Sequence, residues 1–272
     1  MNQSEDGSPE NGFLTPVSGG RFKFSCHRGI ECFNKCCANL RLVLTPYDII
    51  RMKNRLGISS EEFLEKHTEP HTGEKTRFPM LKLKMDDKTR TCPFVTPDGC
   101  SIYEDRPGAC RIYPLGRAMS QTGDEEPRER YFIVNESHCL GHNEDKEWTI
   151  QEWIEDQDVD RYNEINDPWM GVITSSTVLL KAELGSKKLQ MFYLASYNLD
   201  SFRKFIFETR FLDMFDIEEE VVEEAKRDEL ALMKLGIRWL RFSIYGENTL
   251  KIKDAVAEAR KKELGLEENS ND

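Results

Sequence analysis

The sequence predicts an α+β fold, predominantly α, with a cysteine-rich first half of short strands and helices followed by an all-α helical region. Three observations predict it. All eight cysteines lie between Cys26 and Cys139, and none follows. Leu81, Leu83 and Met85 alternate with Lys82 and Lys84, the period of a half-buried strand. Beyond Glu144 the apolar residues recur every three or four positions instead, the period of helices packed through one face.

In chain order, residues 1–20 are rich in Ser, Gly, Pro, Asn and acid, and they read as a disordered tail because they can bury little. RLVLTPYDIIRMKNRLGIS reads as a short strand and then a helix. Thr45 is its N-cap, Pro46 takes the first helical position, Asp48 sits in the first turn, and Gly57 ends it. Ser59 and Glu62 form a capping box that opens a second short helix. After the strand that begins at Pro79, Asp86-Asp87 and Asp98-Gly99 supply turns. RIYPLGRAM and RYFIVNES read as two further strands, with the acidic SQTGDEEPRER between them as an exposed loop. The cysteines therefore sit on turns and strand ends.

The loss of cysteine sets a boundary near Glu144, which gives a cysteine-cluster domain over 21–143, a helical domain over 144–265 and a second disordered tail over 266–272. Thr149 and Glu152 cap a helix carrying Ile150, Trp153 and Ile154. Pro168 is expected to restart the chain ahead of Trp169, Val172, Ile173, Leu179 and Leu180, closed by Gly185. Leu189, Phe192, Tyr193 and Tyr197 mark the next helix, and Asp200 is expected to cap one bearing Phe202, Phe205, Ile206 and Leu212. The longest helix is expected to start at Asp216 and run through EEEVVEEAKRDELALMKLGIRWLRFSIYG, with Gly236 marking a close approach, by a crossing helix rather than the alternative of a cofactor. A charged helix from about Thr249 to Leu264 follows. The aromatic residues of this half, among them Trp169 and Trp239, read as core at their helical spacing.

A net charge of −11 excludes nucleic-acid backbone and anionic membrane surfaces as partners, since both select basic patches. The opening MNQSEDGSPENG lacks the basic and apolar stretches of a secretory signal, and no later stretch is apolar enough to span a bilayer, so a cytoplasmic protein is expected. Thiols in a reducing compartment stay free, which favours metal ligation over a disulfide framework.

The first cluster is Cys26-x5-Cys32-x3-Cys36-Cys37, on a loop that Gly29 and Asn34 loosen. The second brings Cys92, Cys100 and Cys110 from separate turns and a strand end, and Cys139 completes the set. One zinc ion or one cubane cluster takes four thiolates, so two sites are arithmetically open. Neighbouring side chains diverge in any regular backbone, so one of Cys36 and Cys37 is expected to ligate elsewhere or not at all. The spacing matches neither zinc ribbons nor bacterial ferredoxins. Arg106 and Arg111 flank Cys110 and suit a charge-offsetting role beside such a centre, against the alternative of surface charges paired with Glu104 and Asp105. His27, His67, His71, His138 and His142 read as solvated, with His138 and His142, which flank Cys139, open to the alternative of replacing a cysteine as ligand or hydrogen-bonding a sulfur.

CHRGIECFNKCC followed by CPFVTPDGCSIYEDRPGACRIYPLG resembles the YkgJ-like CxxCxxCC cysteine-cluster family, over about residues 22 to 142. The resemblance implies chelation of zinc or iron, often as an iron–sulfur cluster, and flagellin lysine N-methylase looks like a relative. It implies Cys26, Cys32, Cys36, Cys37, Cys92, Cys100, Cys110 and Cys139 as ligands, with Cys26 set apart by a five-residue gap that departs from the signature.

Three functions follow as expectations. The first is an iron–sulfur protein, a [4Fe-4S] carrier or redox accessory with one or two centres and another protein as redox or assembly partner. The second is a zinc-stabilised protein-interaction module, because thiolate sulfur selects both. The third is a methyltransferase-related enzyme, which the absence of any G-x-G turn disfavours.

Overall fold

The computed structural model describes residues 12–72, 78–120, 128–175 and 184–263. Helix accounts for 52% and strand for 18%, with the strands in small sheets, so the α+β class with a helical majority is the observed one. Residues 1–11, 121–127 and 264–272 lie outside the described residues, and with them most of both expected tails and of the acidic loop. Leu179 and Leu180 also lie outside them. Among the described residues no helix is long and apolar enough to cross a membrane.

The chain divides into two compact units, Met1–Arg55 with Lys82–Ile165, and Leu56–Leu81 with Asn166–Asp272. This differs from a single cut near Glu144, and packing is the reason. Trp153 and Tyr162 are buried in the first unit, and Phe63 and Phe78 in the second, where the Phe78 ring stacks on Phe192 at 4.3 Å. Cysteine content changes abruptly along the sequence, whereas burial of large side chains decides which segments fold together.

In the first unit, the strand Arg128–Val134 is central to an antiparallel sheet, flanked by Leu14–Pro16 and Leu115–Ser120. Leu14–Pro16 falls within the stretch read as a tail. Its side chains are exposed, and what orders it is backbone pairing, extended by Asn135, whose amide donates to the Phe13 carbonyl at 2.7 Å. Composition reports burial and is blind to such a strand. A second antiparallel pair joins Arg21–Lys23 to Glu147–Thr149, with Phe22 opposite Trp148. Phe22, Phe24, Leu115 and Trp153 form the buried cluster beneath it, and Cys139 packs against that cluster.

The helix Pro46–Leu56 starts as its sequence dictates. The Asp48 amide donates to Thr45 Oγ1 at 3.3 Å, the Thr45 amide donates to Asp48 Oδ2 at 2.8 Å, and Gly57 leaves at φ 68°. Arg111 and Ile112, expected to begin a strand, close the short helix Gly108–Ile112 instead. The strand starts at Leu115, after the cis Tyr113–Pro114 peptide. Val95–Thr96 and Gly99–Cys100 form a hairpin about the Pro97-Asp98 turn.

In the second unit Ser59 caps the helix Ser60–His67 through the Glu62 amide, as expected. Asn198, not Asp200, caps Leu199–Glu208, because the Asp200 carboxylate accepts from the Ser60 amide at 2.6 Å and its hydroxyl at 2.9 Å. Pro168 does not restart the chain; it lies inside the helix Val159–Thr174, which runs on at the loss of one backbone hydrogen bond. The expected long helix is two, Glu219–Arg227 and Glu229–Leu240, followed by a π-helical turn over Arg241–Tyr245. Asp228 divides them by leaving helical geometry to accept from the Ala231 amide at 2.8 Å. Gly236 does mark a crossing, since a Cβ there would stand 3.0 Å from the Phe202 ring and 3.1 Å from the Ala195 carbonyl. Trp169, Phe202 and Trp239 are buried core.

Candidate metal centre

All eight cysteines belong to the first unit, and all are free thiols. Cys32 is buried, Cys26 is exposed and the other six are half-buried. Short turns carry the first four: the Ile30 amide donates to the His27 carbonyl, Phe33 to Ile30, Lys35 to Cys32 and Cys37 to Asn34. Asn34 makes the sharpest bend at φ 67°, and its side chain donates to the Thr96 carbonyl at 2.9 Å, tying this loop to the hairpin. Asparagine tolerates that left-handed backbone better than most residues.

Two sets of backbone contacts bring distant cysteines together. The Cys92 amide donates to the Cys37 carbonyl at 2.8 Å, with Ala38 bridged to Thr91 alongside, and the hairpin register then carries the chain to Cys100. The Ser25 amide donates to the Gly141 carbonyl at 3.1 Å, which sets Cys26 beside the loop of Cys139. This approach needs a glycine, because a Cβ at residue 141 would stand 2.6 Å from the Phe24 ring and 2.8 Å from the Ser25 carbonyl.

The sulfur of Cys32 receives a hydrogen bond from the backbone: the Leu140 amide donates to Cys32 Sγ at 3.2 Å. Burial raises the Cys92 and Cys100 thiols, and the nearby amides of Phe94 and Val95, and of Ile102, counter that in part. Such donors stabilise sulfur as the thiolate, the form that binds metals. Tyr113 adds a buried hydroxyl with no hydrogen-bond partner among the described residues, beside Cys139 and Glu136. A thiolate there would give it an acceptor.

The thiols are also electrostatic neighbours. Cys26 reaches solvent on one side, while the protein around it pushes its thiol up to about 11, helped by Cys36, Cys32 and Cys139. Burial pushes Cys110 up to about 12, with Cys92 and Cys100 adding to it. Cys92 and Cys100 are raised by burial as well. The Cys37 thiol donates to the Cys36 sulfur, which holds Cys36 below the ordinary thiol range and Cys37 above it. Among the described residues, no three His, Cys, Asp or Glu side chains stand close enough to hold one ion as they are. The fold brings the cysteine-bearing loops together through backbone contacts without converging three of those side chains on one point.

Behind Cys110 lies a polar network that the sequence did not disclose. Asp48 is fully buried, and its Oδ1 accepts from the Gly108 amide at 2.8 Å, at the start of the helix that carries Cys110. Arg111 is buried too, and donates to the carbonyls of Arg106, Gln157 and Glu104 with its guanidinium 4.5 Å over the Tyr162 ring. Buried Arg106 donates to the Tyr103 carbonyl and to Gln157 Oε1, stacks 3.7 Å over the Tyr103 ring, and acts electrostatically on Cys100 and Cys110. Neither arginine is a surface charge paired with the Glu104 or Asp105 carboxylate. Asp105 pairs with Arg51 at 2.6 Å.

Of the histidines near the cysteines, His27 pairs with Glu144 at 3.2 Å and His138 with Glu136 at 3.4 Å, both exposed. His142 departs from the solvated reading. It is half-buried against Phe24, with Nε2 3.3 Å from the Val134 carbonyl. His67 and His71 belong to the other unit. The donors grouped here are mainly thiols, with the Glu136 carboxylate near Cys36 and Cys139 and Asp48 near Cys110, and a set dominated by sulfur suits zinc or an iron–sulfur cluster better than a hard cation.

Residues 25–140, a span holding every cysteine, match the family CxxCxxCC, described as "Putative zinc- or iron-chelating domain". That segment is similar to the family, which supports metal binding by it and leaves the metal between zinc and iron. No curated protein and no solved structure matches the chain.

Proposed function

We propose that the chelating segment holds an iron–sulfur centre of the [4Fe-4S] kind through its cysteine thiolates, and that the protein exchanges electrons with, or receives its cluster from, another protein. The observation that carries this reading is the gathering of the cysteine-bearing loops by backbone contacts, the Cys92 amide to the Cys37 carbonyl and the Ser25 amide to the Gly141 carbonyl, with the Leu140 amide donating to Cys32 Sγ at 3.2 Å. Hydrogen bonds to ligand sulfur stabilise thiolate charge and tune a cluster's potential. Eight cysteines also exceed what one structural zinc ion takes.

In this reading the cluster, when bound, supplies one-electron chemistry. The chain's own residues do the rest. Cys26, Cys32, Cys36, Cys37, Cys92, Cys100, Cys110 and Cys139 ligate, and Arg106 offsets the anionic charge near Cys100 and Cys110. Arg111 fixes the carbonyls of residues 104, 106 and 157 around that helix. The test is purification without oxygen, followed by absorbance, iron and acid-labile sulfide assays. Brown protein with matching iron and sulfide supports the proposal. Colourless protein with stoichiometric zinc overturns it in favour of the interaction module.

A further inference from the structure

We infer that the second unit binds an aliphatic carboxylate, a fatty acid by chemical class, in the cleft between the π-helical turn Arg241–Tyr245 and the last helix, Asp254–Glu263. Met214, Phe215, Phe242 and Ile252 would take the chain, and Arg260 and Lys261 the head group. The inference is independent of the metal-binding reading, because every residue that lines the cleft belongs to the unit without cysteines.

The cleft is built by paired backbone and packed rings. Phe215 and Ile252 face each other across a short antiparallel pair, and the Lys253 amide donates to the Met214 carbonyl at 3.0 Å. Phe242 reaches the cleft from the π turn that follows the helix Glu229–Leu240, and its ring meets Phe215 edge-on at 5.4 Å. Such turns recur at functional sites. The remaining wall is the last helix, where Val256, Ala257, Arg260 and Lys261 share one face at helical spacing. No residue of that helix is buried, so its inner face is left only partly covered.

Size and charge select the occupant. The cleft measures about 390 Å³ and eight residues line it. That lies within the range of small-molecule sites, about 300–1,000 Å³, and far below the roughly 20–30 residues a side of a stable protein interface. The neighbouring carboxylates are already engaged, since Lys251 pairs with Asp216 at 3.8 Å and with Asp254 at 3.5 Å. Arg260 and Lys261 pair with no carboxylate among the described residues. An apolar cleft ending in two such cations is complementary to a hydrocarbon chain with one anionic head, and the arginine fork matches a carboxylate in particular. The net charge of −11 keeps the chain off anionic bilayers, so the amphiphile is taken singly.

The test is calorimetric titration of the full-length protein with decanoate below its micellar concentration, and with decanol in parallel. Saturable one-to-one binding of decanoate is expected, with decanol weaker. Ala257→Trp, which fills the cleft from a helix without buried residues, should abolish both. Arg260→Gln with Lys261→Gln should weaken decanoate about three- to tenfold, the scale of two exposed ion pairs, and leave decanol unchanged. Far-UV circular dichroism identifies a variant that has unfolded, and the head-group variant decides even if the tryptophan variant does. No saturable binding to wild type, undiminished binding to folded Ala257→Trp, or decanol binding as tightly as decanoate would overturn the inference. So would sedimentation showing a dimer that Ala257→Trp dissociates, which would give the cleft to a second copy of the chain.

Discussion

Asp48 Oδ1 accepts the Gly108 amide at 2.8 Å, across 60 positions of sequence, and so a buried carboxyl anchors the helix that presents Cys110. The same side chain accepts from the Thr45 amide at 2.8 Å. Asp48→Ala would leave both amides buried and unpaired, at about 1–3 kcal/mol each. A loss of roughly 2–6 kcal/mol in urea unfolding is expected, with Asp48→Asn losing less because its amide oxygen still accepts. Wild-type stability in Asp48→Ala would show that the carboxyl is not an anchor.

Arg111 is matched by geometry rather than by charge, since its three donating nitrogens meet three backbone carbonyls. A lysine ammonium cannot reproduce that planar fork. Arg111→Lys is therefore expected to resemble Arg111→Met in lowered melting temperature and in reduced metal retention. Full recovery by lysine would reduce the role to one positive charge.

The metal-free protein should weaken in alkali. Burial holds Cys26 at about 11 and Cys110 at about 12 in the folded chain, against an ordinary 9.0. A folded value above the unfolded one means that the stabilising contribution is whole below pH 9.0 and is lost as pH rises from there toward 11 to 12. The urea midpoint of reduced, metal-free protein is expected to fall across that window, while metal-loaded protein, its thiolates already bound, should change far less. Equal pH profiles for the two forms would contradict this.

Two glycine substitutions separate the units. Gly141→Ala would drive a methyl group to 2.6 Å from the Phe24 ring and 2.8 Å from the Ser25 carbonyl, forcing the Cys26 and Cys139 loops apart. It should cost about 1–3 kcal/mol or more and reduce metal content. Gly236→Ala meets Phe202 at 3.0 Å and Ala195 at 3.1 Å in the other unit. Its overpacking is partly offset by a helix-propensity gain of about 1 kcal/mol, and bound metal should be unchanged. Metal loss from Gly236→Ala measured by elemental analysis would refute this separation.

Much of the local structure was legible from the chain. The Thr45, Ser59 and Thr149 caps were visible because each depends on residues three positions apart. The strand from Pro79 and the cysteine-rich first half were visible for similarly local reasons. The cap of Leu199–Glu208 differs from the expected one because Asp200 is taken up by Ser60, and the single long helix expected from Asp216 is divided because Asp228 opens a new one. Asp48 could be placed in a first turn, but its partner at Gly108 could not, and Tyr113, Gln157 and Leu140 carried no signal in sequence at all.

The sequence by itself determined which candidate ligands the chain offers, since sulfur-rich spacing and a count of eight follow from residue identity alone. Which sulfur neighbours which was decided only by the tertiary structure. Those neighbours are set by backbone hydrogen bonds such as Cys92 to Cys37 and Ser25 to Gly141, which join segments far apart in the chain. Such pairings depend on the whole packed core, and no local pattern encodes them.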